Sequence, residues 1–185
     1  TEPTSGLPVL DRLLPVLAPR RAVRDTDHRR HWEAPLAKVA SDSIYTLREP
    51  QLFDLRLRLL DEAIHSAHPL MPIAELYFQR ANTRRAVRAG DGRSTELALA
   101  DLSTAIRRAR AEGNAGLCAA ATAAWVKSLV WSAAEDSSGL ADRLAEAESA
   151  IADTLDLPLE PIDEAAVHQA RAHLVRMRSP DESVA

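Results

Sequence analysis

The chain has 185 residues, 46% hydrophobic, 27% charged and only 4% aromatic, with a formal net charge of −4. That length makes one domain, or one domain with an attached segment, and it is enough to bury a sizeable core. Residues 71–114 carry eight Arg against five Asp or Glu, and residues 115–185 carry five Lys or Arg against twelve acids, so a basic middle and an acidic end argue against a general nucleic-acid binder.

With so few aromatics, the core must come from Ala, Leu, Ile and Val. Ala and Leu favour helix and β-branched runs are nearly absent, so the fold class is read as all-α. No stretch approaches the roughly 20 apolar residues of a membrane span. Residues 1–34 read as an N-terminal helical extension. After a lead-in ending at Gly6, Leu7, Leu10, Leu13, Leu14 and Leu17 form an apolar helix face, which Pro15 interrupts and Pro19 ends. The segment lacks a basic leader and is not read as a signal peptide. Arg20 to Trp32 reads as a charged second helix.

Residues 35–178 read as a series of helical hairpins, and residues 179–185 as a mobile tail. The spacing Leu57, Leu60, Ala63, Ile64 returns as Leu99, Leu102, Ala105, Ile106 and again as Leu144, Ala147, Ala150, Ile151. Apolar residues at i, i+3, i+6 and i+7 mark one helical face. The alanines at 63, 105 and 150 lie 42 and 45 residues apart, a period that marks stacked hairpins. A small side chain at that place permits close approach of a neighbouring helix.

The first hairpin pairs a helix near 35–48 with one near 51–67, with Pro50 in its turn. The second is the clearest. Its first helix is expected from Ile73 to Ala89, and Gly90, Asp91 and Gly92 make the break. Ser94 or Thr95 is placed as cap of the partner helix, which runs to Glu112 and ends at Gly113 and Asn114 in a left-handed cap. The third pairs 115–134 with 138–155. A final helix from Asp163 to Arg178, with Ala166, Ala170, Leu174 and Met177 on one face, is expected to cover the exposed end of the stack.

The stretch AELYFQRANTRRA from Ala74 resembles the tetratricopeptide repeat: Tyr77 and Ala81 take the aromatic and small positions of its first helix, followed by Asn82. Ala98, Leu102 and Ala105 fall at the spacing of its second-helix positions, with Leu102 where an aromatic is usual. The period exceeds the roughly 34 residues of that family, so the chain is more similar to long-repeat relatives found in bacterial regulators and scaffolds. The resemblance covers residues 51–155 and is specific in 74–106.

That resemblance implies a concave groove, lined by the first helices, that receives a peptide or partner helix without catalysis. Glu75, Phe78, Gln79, Asn82 and Arg85 would face it. Asn82 would bond a peptide backbone, since its amide offers donors and an acceptor, and Arg85 would hold a carboxylate. On the third hairpin the candidates are Trp125, Lys127, Ser128 and Ser132, with Trp125 as an apolar anchor. Trp125 and Trp131 stand six residues apart and cannot share one narrow face. The resemblance also implies a docking or sensor part of a larger bacterial, cytoplasmic regulator; that step is analogy.

The stripe Arg80, Arg84, Arg88 reads first as a solvated basic face and second as a site for an acidic partner. Cys118 alone permits no intrachain disulfide and fits a reducing, cytoplasmic setting; its alanine neighbours make it a core residue. No cofactor is expected. His28/His31 and His65/His68 have metal-like spacing but no supporting ligand motif, and His168 and His173 diverge, so no metal is expected. Three other readings stay open: a small-ligand receptor between helices, an all-α enzyme using His and carboxylates, and a homo-oligomer formed through the leading helix.

Overall fold

A computed structural model describes residues 52–65, 72–87, 92–133 and 140–178. Among them are six α-helices and no strand, so the protein is all-α over its described length. The chain divides into two compact units, Thr1–Met71 and Pro72–Ala185, a boundary that falls inside the segment expected to form one repeat domain. The expected helices before residue 51 lie outside the described residues.

In the first unit, α1 (Phe53–His65) buries Leu59, Leu60 and Ala63, with Asp54 in its first turn, where the helix dipole favours a negative charge. This is the second helix of the first expected hairpin, and Ala63 is fully buried.

The second unit holds α2 (Ile73–Val87), α3 (Gly92–Ala111), α4 (Ala115–Ala133), α5 (Leu140–Leu155) and α6 (Pro161–Arg178). Helix α2 starts immediately after Pro72, and its Ala74 N–H donates to Glu112 Oε1, 3.4 Å away at the far end of α3. Arg84 near the end of α2 donates in turn to the Leu97 carbonyl near the start of α3 (3.2 Å). The two helices are therefore antiparallel, as a short connection demands. Helix α3 begins at Gly92, so Ser94 and Thr95 stand inside its first turn rather than before it.

The α3–α4 turn is set by local chemistry. Gly113 has φ +70°, the left-handed region that glycine enters without a Cβ penalty. Asn114 N–H reaches the Ala109 carbonyl (2.8 Å) and Gly113 N–H the Arg110 carbonyl (3.2 Å), the two bonds of a Schellman ending. Asn114 then serves the next helix: its Oδ1 accepts the Leu117 N–H at 3.0 Å, an N-cap that its place as a helix terminator had hidden. A Cβ on residue 113 would meet nothing within 4 Å. Gly113→Ala should therefore destabilise the fold by about 1–2 kcal/mol through backbone strain alone, measurable by urea unfolding.

One core joins the second unit. Ala98, Leu99, Leu102, Ala105, Ile106 and Ala109 of α3 pack with Cys118, Ala119, Ala121, Trp125, Val126 and Leu129 of α4, and with Leu144, Ala147 and Ile151 of α5. Helix α6 adds Val167, Ala170 and Leu174 and lies against α4 and α5. It starts at Pro161, whose fixed φ suits a first helical position. Helix α4 is the hub, touching α2, α3, α5 and α6. The recurring alanine holds at 105, which is fully buried, whereas Ala150 is half-buried and Ala147 takes the deep position in α5.

A polar seam crosses this core. Thr122 and Thr154 share a hydroxyl hydrogen bond at 3.0 Å, and Thr154 donates to the Ala150 carbonyl at 2.7 Å. The Cys118 thiol faces the Ile106 carbonyl and the Thr154 hydroxyl, each 3.9 Å away. Each polar group of this seam so finds a partner, and Cys118 is a core residue.

Candidate functional site

Helix α2 carries several kinds of polar side chain, and their partners sort them. Arg80 and Arg84 project toward α3, where Asp101 is buried at 4% exposure. Arg80 grips that carboxylate with two bonds, Nε to Oδ2 at 2.9 Å and a terminal nitrogen to Oδ1 at 2.6 Å. Arg84 adds a third bond to Oδ2. The Arg80 guanidinium also lies over the Tyr77 ring, 5.1 Å from its centre. Two members of the basic stripe are thus neutralised within the fold rather than solvated; Arg88 lies outside the described residues.

Phe78, Gln79, Asn82 and Arg85 occupy another part of the α2 surface. Phe78 packs against the core and is partly buried. Gln79 donates from Nε2 to Glu75 Oε1 at 3.0 Å, while its own Oε1 is buried without a partner. Asn82 Oδ1 accepts from Arg85 at 3.1 Å. Burial lowers the pKa of the Arg85 guanidinium below its ordinary value, yet an arginine so displaced stays charged at neutral pH. Among the described residues no carboxylate pairs with Arg85. A part-buried cation is held here by one neutral amide oxygen, with its other N–H donors uncommitted.

The candidates on α4 separate differently. Trp125 is 6% exposed and belongs to the core. Ser128 is buried too, its hydroxyl donating to the Ala124 carbonyl at 2.8 Å, the usual way a helical serine is satisfied inside a core. Ser132 bonds Leu129 O at 3.0 Å. The exposed aromatic is Trp131, at 61%, with the Lys127 ammonium 5.5 Å from its ring centre. The six-residue spacing correctly separated the two tryptophans; which of them turns inward depends on where α3 and α5 lie.

A second concavity opens between α3 and α5. Glu96 pairs with Arg143 at 2.9 Å near the start of both helices, and Arg110 with Asp153 at 3.2 Å near the end of both. The two helices therefore run in the same direction. Between the pairs lies a cavity of about 260 Å³. Its α3 wall is Ser103, Ile106, Arg107 and Arg110, and its α5 wall is Glu146, Ser149, Ala150 and Asp153. Trp125 from α4 forms the floor. The two walls come from segments at least 36 residues apart along the chain, and no local pattern announces them.

No group of three or more potential metal ligands occurs among the described residues. His168 approaches Glu164, one helical turn away at 3.6 Å, and His28, His31 and His68 lie outside the described residues. Among the described residues no helix is long and apolar enough to cross a membrane. Compared with models of known protein families, with curated proteins and with solved structures, the chain finds no match in any of the three.

Proposed function

We propose that the chain is a non-catalytic protein- or peptide-binding module, built of stacked antiparallel helical hairpins similar to long tetratricopeptide repeats. Three features favour that architecture. Helices α2 and α3 are antiparallel, α3 and α5 are parallel, and α4 touches the helices before and after it. A chain that adds one hairpin after another generates those three relations together.

Arg85 carries the functional half of the reading. Desolvating a cation is costly unless an opposite charge or several acceptors replace its water. Arg80 and Arg84 have Asp101 for that purpose. Arg85, on the same helix and also partly desolvated, has only the Asn82 oxygen. The missing acceptor fits a carboxylate brought by a partner, held by the planar fork of Arg85, with the Asn82 amide nitrogen as a further donor. Phe78 offers apolar surface on the same helix. Such a module could form the docking part of a larger cytoplasmic regulator of bacterial type.

A peptide library with free C-terminal carboxylates, selected on the immobilised full chain, tests this reading. Selected peptides measured by fluorescence anisotropy should lose about 10- to 100-fold in affinity on Arg85→Met, the range of a charge-assisted bond. Amidating the carboxylate should cost as much, and should cost little more in the Arg85→Met background. A selection that yields no peptide, or only peptides indifferent to Arg85 and Asn82→Ala, overturns the assignment.

A further inference from the structure

We propose that the cavity between α3 and α5 is a second binding site, distinct from the α2 surface, for a small zwitterion with an apolar body, of the α-amino-acid class. The argument rests on which charges are already committed. Arg110 and Asp153 satisfy each other at one end of the cleft, and Glu96 and Arg143 at the other. Between them Arg107 on the α3 wall and Glu146 on the α5 wall have neither ion-pair nor hydrogen-bond partner among the described residues, although both line the same cavity. One wall offers a cation and the opposite wall an anion, with the two separated by an opening rather than joined.

The remaining surface fixes the rest of the ligand. Ile106, Ala150 and the Trp125 ring give an apolar floor. An aromatic floor with a few convergent polar groups is the common make-up of small-molecule sites, whose volumes run from about 300 to 1,000 Å³. At about 260 Å³ this cavity falls just below that range and suits a metabolite rather than a folded segment. A ligand carboxylate would face Arg107 as a forked pair, its ammonium would face Glu146, and an aliphatic side chain would lie on Trp125.

L-Leucine is the probe. Calorimetric titration of the full chain should show saturable binding. The fluorescence of the Trp32→Phe/Trp131→Phe variant, which keeps Trp125 alone, should change with the same midpoint. Isoamylamine and 4-methylvalerate, each keeping one of the two charges, should bind at least tenfold more weakly. Arg107→Ala and Glu146→Ala should each weaken L-leucine at least tenfold; both residues are exposed, so neither change disturbs the core. The exchange Arg107→Glu with Glu146→Arg, which restores one charge of each sign, should recover part of the loss. Absence of saturable binding by L-leucine and by the other apolar amino acids overturns the proposal. So does binding that ignores Arg107 and Glu146, or that one single-charge analogue reproduces. Peptide capture at Arg85 is untouched by any of these results, so the two sites stand or fall separately.

Discussion

Asp101→Ala should lower the unfolding free energy by about 3–5 kcal/mol, among the largest losses available from a single polar side chain in this protein. Asp101 is 5% exposed at its side chain, and Arg80 and Arg84 are 15% and 17% exposed. All three have left most of their water. Removing the carboxylate leaves two guanidinium groups close together in a poorly solvated place, so the cost is that of stranded charge rather than of one lost bond. A control separates the two contributions. Asp101→Ala combined with Arg80→Met and Arg84→Met removes the stranded charge with the carboxylate, and should recover much of the loss. Urea unfolding of the single, double and triple substitutions closes the cycle. If the triple variant is no more stable than Asp101→Ala, the arginines are not the source of the cost. The surface pairs Glu96–Arg143 and Arg110–Asp153 have members from 38% to 58% exposed, and breaking either should change stability by about 1 kcal/mol or less.

The contrast between these arginines shows where sequence reading reaches and where it stops. The i, i+4 spacing of Arg80 and Arg84 placed them on one row of α2. Their acceptor lies 21 and 17 residues further on, across a hairpin, and nothing local distinguishes Asp101 from a solvated acid. Local chemistry was easier. Gly113 and Asn114 ended a helix because a left-handed residue followed by an amide is itself the ending, with no distant partner needed.

The apolar repeat was legible for the same reason in α3, where Leu99, Leu102, Ala105 and Ile106 all turned inward. In α5 the deep alanine is Ala147 instead of Ala150, because Ala150 borders the open cavity. Helix α2 gave a weak pattern for another reason. Leu76 and Thr83 are fully buried, as are Ala74 and Ala81 on the roughly opposite side, and a helix covered on two sides has no single apolar stripe. The α3–α5 cavity was invisible in sequence, since its walls come from separate hairpins and its charged residues look like ordinary surface.

Leu129→Ala should cost about 2–5 kcal/mol, in the upper part of that span, because the site has little freedom to collapse. Leu129 is 1% exposed, within the core cluster shared by α3, α4, α5 and α6. Helix α4 meets α2, α3, α5 and α6, so a shift that fills the void on one side opens another elsewhere. Ile162→Ala is the matched control: its side chain is 80% exposed, and its loss should change stability by about 0.5 kcal/mol or less. Two probes read different parts of the second unit. In the Trp32→Phe/Trp131→Phe background tryptophan fluorescence reports on surroundings near Trp125, and far-ultraviolet circular dichroism reports on all helices. If the hairpins of this unit share one core, Leu129→Ala moves both transitions together to lower urea with an unchanged slope. If α6 or α2 separates first, the two curves part, and the core is divided rather than continuous. The distinction bears on binding as well, because Trp125 sits at once in that core and under the cavity between α3 and α5. A ligand seated there binds only the folded arrangement, so in the continuous case saturating L-leucine should raise the midpoint reported by both probes alike.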